Sequence, residues 1–139
     1  MAEGDLAPKA ERPAALSLEP AHFPGRAPLD SYGNGGFRFA DMSHRGSIFC
    51  LPSGIHAWAP TEPADLTVDA FGPVFEEEGT EVLLVGTGAD LVPLPDALIE
   101  KCQQRGIRAE PMSTGAAART FNVLLSEGRA VSAALLAVS

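Results

Sequence analysis

Val82-Leu83-Leu84-Val85 is an unbroken apolar run, the pattern of a strand covered on both faces. Gly86-Thr87-Gly88 ends it, where backbone turns through positive φ or approaches something closely. Leu98, Ile99 and Cys102 then supply the buried stripe of a helix. Pro95 stands at its first position, Arg105 in its last turn and Gly106 at its end, as helix termini favour. Ile107 to Met112 reads as the next strand, and Pro111 places that strand at a sheet edge or ends it. Ser113 or Thr114 caps a longer helix that runs to about Glu127, with Gly128 as terminator. Ala117, Phe121, Leu124 and Leu125 fall on its apolar face, with Arg119, Asn122 and Ser126 nearly opposite. Val131 to Val138 is a final apolar strand, and its double-sided burial puts it near the middle of the sheet. Strands alternating with helices predict a small α/β sheet.

The first half reads differently. Ser31 to Gly36 is a turn cluster, after which Phe37-Arg38-Phe39 alternates as a strand does. Asp41 to Gly46 reads as a hairpin-like connection, Ser47 to Leu51 as a second strand and Ile55 to Trp58 as a third. These three predict an antiparallel meander laid beside the α/β part. Pro60 to Asp65 is a linker. Thr67 is an N-cap for a short helix carrying Val68, Phe71, Val74 and Phe75, unless Pro73 takes the first helical position and moves the start to about Gly72. Glu76, Glu77, Glu78 and Glu81 read as a solvated helix end, since they lack the alternating spacing of a calcium loop. Five prolines before residue 31 mark residues 1–24 as a mobile Pro/Ala-rich tail, leaving residues 25–139 as one α/β domain.

Charge narrows the partners. Ten Lys and Arg against 18 Asp and Glu give a formal net charge of -8, which phosphate backbones and anionic lipids repel. Nucleic acid is therefore not an expected partner. Ala130 to Val138 is the longest apolar stretch, about half a bilayer crossing, so direct membrane insertion is not expected either. The first residues lack the basic start and apolar run of a signal peptide, and the expected location is cytoplasmic. Cys50 and Cys102, each in an apolar setting, read as buried reduced thiols.

No catalytic, metal or cofactor set can be assigned. A dinucleotide fingerprint fails at Leu91, where its third glycine would stand, and the helix waits until Pro95. His22, His44 and His56 lie on three separate stretches without metal-ligand spacing. The candidate crevice is the junction of Gly86, Thr87 and Gly88 with Met112, Ser113 and Thr114. Both stretches lie at carboxyl ends of neighbouring strands if those strands are parallel, where open α/β sheets hold ligands. Arg119 and Asn122, one turn into the helix, reach toward it. The other reading of the same residues is structural: Ser113 and Thr114 cap the helix, while Arg119 and Asn122 bond loops.

The succession Gly35-Gly36-Phe37-Arg38, Gly46-Ser47, Leu51-Pro52, Trp58, Leu84 to Gly88, and Thr114 to Arg129 resembles one family. It is the domain-of-unknown-function family that includes the mitochondrial respiratory complex I assembly factor 3. Residues 25–138 carry the resemblance, most specifically Thr114, Ala117, Arg119, Thr120, Asn122, Leu124, Glu127, Gly128 and Arg129. Phe121 departs from the family's usual Tyr and removes a hydroxyl there. The resemblance implies a three-layer α/β fold with a central mixed sheet, helices and an additional antiparallel β-meander layer, with the last strand inside the sheet. It carries over no enzymatic activity. It implies instead a non-enzymatic protein-interaction or assembly factor in inner-membrane or respiratory complex biogenesis, of a bacterial branch and peripheral to the inner membrane. Respiratory or translocation subunits are the partners it implies. The alternative is a small-ligand binder or enzyme using the crevice. Oligomeric state and the direction of the last strand stay open.

Overall fold

The computed structural model describes residues 23–139. Six strands come first: β1 (Phe23–Pro24), β2 (Ser31–Gly33), β3 (Gly36–Phe39), β4 (Met42–Arg45), β5 (Ser47–Leu51) and β6 (Gly54–Trp58). Helix α1 (Gly72–Glu76), β7 (Val82–Gly86), α2 (Asp96–Gln104), β8 (Arg108–Met112), α3 (Thr114–Ser126) and β9 (Val131–Leu135) follow. One sheet has six strands in the order β1-β6-β5-β9-β7-β8, and the other has three in the order β2-β3-β4. β7 is parallel to both β8 and β9, whereas β9 runs antiparallel to β5. The large sheet is therefore mixed, as expected, and the small antiparallel sheet is the additional layer.

The period of two along the buried strands builds two cores. Ile48 and Cys50, Val82 and Leu84, and Ala133 and Leu135 point to one face, where Phe37 and Phe39 of β3 and Ala117 and Phe121 of α3 cover them. Phe49 and Leu51, Leu83 and Val85, and Ala134 and Leu136 point to the other, under Phe71, Val74 and Leu98. Both cysteines are free and buried. Burial raises both thiol pKa values, so neither thiol readily ionises.

The expected meander needs correcting in its membership. The meander layer consists of Ser31–Gly33, Gly36–Phe39 and Met42–Arg45, whereas the strands read at Ser47–Leu51 and Ile55–Trp58 belong to the large sheet. Two left-handed turns make the small sheet possible: Asn34 and Gly35 (φ 54 and 81) join β2 to β3, and Ala40 and Asp41 (φ 49 and 62) join β3 to β4. Such paired positive-φ turns match the twist of hairpin strands. Gly46 (φ 100) then swings the chain into the large sheet, its N–H bonded to the Gly35 carbonyl at 2.7 Å.

Elsewhere the expected elements stand, except that the last strand ends at Leu135 rather than Val138 and Pro95 is the N-cap of α2 rather than its first residue. Both readings of the Thr67 region coexist, with a 3₁₀ turn at Val68–Phe71 leading into α1, where Pro73 sits in the first turn. The linker holds a second 3₁₀ turn at Pro63–Asp65. β8, carrying Pro111, is an edge strand, and β9 lies inside the sheet. Leu124 and Leu125 are half-buried, packed on the first core but with one flank open. The expected mobile tail and His22 fall, for residues 1–22, outside the described residues; Phe23 and Pro24 pair with Ile55 and Gly54. Among the described residues no helix is long and apolar enough to cross a membrane.

The α3 face sets a graded stability series. Phe121 is 1% exposed and Val123 is 54% exposed. Phe121→Ala should lower unfolding stability by about 3–5 kcal/mol through its cavity. Leu124→Ala should cost less, about 2 kcal/mol, the low end for a Leu→Ala change, and Val123→Ala within about 0.5 kcal/mol. Urea denaturation of the three variants reads the order directly.

Candidate functional site

The parallel pair β7–β8 delivers two strand ends to one place, and the first turn of α3 closes over them. Ser113 is the N-cap of α3, its hydroxyl accepting from the Ala116 N–H at 3.3 Å. Thr114 is fully buried and ties three segments together. Its hydroxyl donates to the Leu136 carbonyl at 2.7 Å and accepts from the Gly88 N–H at 3.1 Å. Its own N–H donates to the Gly88 carbonyl at 2.8 Å. Gly86 is required by this closeness: an added Cβ would lie 2.9 Å from Leu135 Cδ2 and 3.0 Å from Thr114 Cα. Gly88 serves a different need, since its φ of 107 is one that side chains disfavour.

Thr87 organises the loop that follows. Its N–H donates to the Met112 carbonyl at 2.8 Å. Its hydroxyl donates to the Asp90 carbonyl at 2.6 Å, with the Met112 carbonyl at 3.1 Å, and accepts from the Val92 N–H at 3.0 Å. A crevice of about 570 Å³ opens beside these residues, lined by Thr87, Gly88, Ser113 and Arg119 together with Tyr32, Asp90 and Leu136 among others. Four of the eight residues singled out from the sequence therefore line one concavity. Gly86, Met112 and Thr114 lie behind its wall.

Asn122 faces elsewhere. Its side-chain oxygen accepts from the Leu29 N–H at 2.8 Å, and its amide nitrogen donates to the Leu29 carbonyl at 2.8 Å. This two-pronged bond fixes the segment that leads into β2. Arg119 extends along the crevice and donates to the Tyr32 hydroxyl at 3.4 Å. Tyr32, 42% exposed, lies over the first turn of α3, where a Cβ on Gly115 would run into its hydroxyl. Sequence reading placed Tyr32 in a turn and overlooked it; the signal available was Asn34-Gly35, the strongest short hairpin marker, which makes Tyr32 a strand residue.

Removing the Asn122 side chain should leave a backbone N–H and carbonyl at Leu29 without partners, and Asn122→Ala should cost about 1–3 kcal/mol. Thr114→Val keeps the shape but strands the Gly88 N–H and Leu136 carbonyl, with a similar expected loss of about 1–3 kcal/mol. Thr114→Ser should recover most of it. Thermal unfolding of the three variants checks this; an unchanged midpoint for Thr114→Val would show that these hydrogen bonds do not stabilise the fold.

Comparison with known proteins fits this architecture to a family. An uncharacterized protein of Rhodobacter capsulatus is 42% identical over 114 residues, covering 82% of this chain and 87% of the relative. The mouse NADH dehydrogenase [ubiquinone] 1 alpha subcomplex assembly factor 3 is 33% identical over 122 residues, covering 87% of this chain. The chain spans 66% of that factor's length. Among solved structures, an outer membrane protein from Bartonella henselae is 58% identical with a TM-score of 0.82, covering 85% of this chain and all of that one (100%). The family described as protein of unknown function (DUF498/DUF598) matches residues 29–136, and the chain belongs to it.

Proposed function

We propose that this protein is an assembly factor, acting without catalysis by binding a protein partner during the biogenesis of an inner-membrane or respiratory complex. The observation that carries the proposal is kinship with assembly factor 3 across most of the chain. The partner class is a protein subunit of the respiratory or translocation machinery, met at the periphery of the inner membrane. The chemistry of the crevice supports this reading. The Thr87 hydroxyl donates to the chain's own backbone, and Thr114 behind the wall does the same, so both hold loops in place rather than face a small molecule.

The alternative reading, a small-ligand site, draws on one feature. Arg119 lies in a concavity at the carboxyl ends of parallel strands, where α/β sheets bind ligands.

Crosslinked capture of the tagged chain from native membranes should recover respiratory or translocation subunits. A strain lacking the protein should show less assembled respiratory NADH dehydrogenase on native gels. Normal assembly together with recovery of no such subunit would overturn the proposal. A metabolite pool that raises the melting point of the wild type and leaves Arg119→Ala unmoved would favour the alternative.

A further inference from the structure

A second concavity, of about 780 Å³, lies on the opposite core's margin between β6 and the segment that runs through the Val68–Phe71 3₁₀ turn into α1. Its apolar walls include Trp58, Pro60, Ala70 and Pro73, and Asp65, Asp69 and Glu77 stand along it. Trp58 is held rigidly: its Nε1–H donates to the Ala70 carbonyl at 2.8 Å, and its ring packs 4.7 Å from Phe49 and 5.2 Å from Phe71. An apolar group laid against a ring already fixed in place loses little binding energy to ordering the site.

Three carboxylates line this groove, and His56, also in its lining, bonds the Ser53 hydroxyl that donates to Glu77. Among the described residues, none of its three carboxylates is ion-paired; the recorded ion pair joins Arg108 to Glu110. Hydrogen bonds from the Thr61 and Glu62 N–H groups hold the Asp65 carboxyl below the usual carboxylate range. Glu77 takes hydrogen bonds from the Ser53 N–H and hydroxyl, while Asp69 is exposed. A chain with a net charge of -8 adds a long-range field that draws in cations and repels acidic segments.

We propose that this groove docks an apolar segment of a protein partner that carries Lys or Arg beside its apolar residues. The proposal rests on the reading of this protein as an assembly factor and names the chemistry of the segment it holds. Apolar side chains enter against Trp58, Pro60 and Pro73, and the flanking cations meet Asp65, Asp69 and Glu77. The carboxylates select the partner and speed encounter, while the apolar contact supplies the hold.

Trp58 is the chain's one tryptophan, which makes its emission a reporter of this groove. The probe is a synthetic helical Leu/Lys peptide, with a Leu/Glu peptide of the same apolar pattern as control, each titrated into the full chain. The Leu/Lys peptide should change the emission saturably, and added salt should weaken it roughly tenfold. Asp69→Lys, which disturbs no recorded hydrogen bond, should weaken it roughly fivefold or more. Equal binding of the Leu/Glu peptide, or full affinity in Asp69→Lys, overturns the proposal. So does an emission change on Leu16→Glu and Leu18→Glu in the full chain without peptide, which would make the chain's own first residues the occupant. Emission that follows protein concentration through a dimerisation would assign the groove to a second copy and overturn it too. Capture from native membranes separates the two readings. Equal recovery of respiratory subunits by wild type and Asp69→Lys overturns the groove and keeps the assembly factor. Peptide binding with the expected salt and Asp69 dependence, but no recovered subunit, keeps the groove and overturns the assembly factor.

Discussion

The insertion of β9 between β5 and β7 is the constraint on which the rest depends. Without it the antiparallel set β1-β6-β5 and the parallel pair β7–β8 would each expose an unpaired central edge, an arrangement that invites misassociation. Residues 131–135 are all buried, and Ala133 and Ala134 are wholly inaccessible. Their small size lets β3 and α3 approach one face while aromatic rings fill the other. Ser132 is the strand's one buried polar side chain, and its hydroxyl shares a 2.7 Å hydrogen bond with Thr80, so its burial leaves no polar group unpaired.

This placement makes the fold strongly non-local. Ile48 pairs with Leu135, and Phe49 with Ala134, so the middle of the sheet joins segments far apart in the chain. Contacts of this separation must be formed against a large loss of chain entropy. The hydrogen bonds around Thr114 lie where that closure finishes, linking the β7 loop, the start of α3 and the end of β9. The crevice is thus first a product of how the chain ends are sealed, and its shape follows from that sealing.

Legibility in the sequence divides along the same line. β7, α3 and β9 were readable because their burial is dictated by their own composition: continuous apolar runs or a clean helical stripe, with Gly128 and Ser113 as end signals. Pro111 correctly implied an edge because a missing N–H is a local fact. β2 and β4 were not readable, since Ser31-Tyr32-Gly33 and Met42-Ser43-His44-Arg45 carry little apolar alternation and owe their extended form to pairing with β3. Ser47 to Leu51 did carry a usable signal. A run buried on both faces belongs in a covered sheet, and the reading that placed it in the outer meander gave too much weight to neighbouring turns. Three crevice residues, Thr87, Gly88 and Ser113, follow from strand ends alone, and Arg119 from the polar face of α3. The partner of Asn122 was not, because Leu29 lies 93 positions away and no local pattern links the two.

One rule applies to both concavities. A polar group withdrawn from water must find a partner, and where the chain supplies that partner the group is spent on structure. Thr87, Thr114 and Asn122 meet this description: the first two bond Met112 and Leu136 backbone around the crevice, and Asn122 bonds Leu29 away from it. Trp58, Asp65 and Glu77 are bonded to the chain as well, and what distinguishes their groove is its apolar lining beside the exposed Asp69. The indole is fixed by one bond and two ring contacts, and the Asp65 and Glu77 carboxylates have lone pairs beyond the bonds they accept. A surface of that kind gains more from association than from water alone, because apolar area is removed and unpaired charge is met in the same contact. The Thr87 and Thr114 hydroxyls are thus committed to the fold, and the groove beside Trp58 is the docking face proposed above.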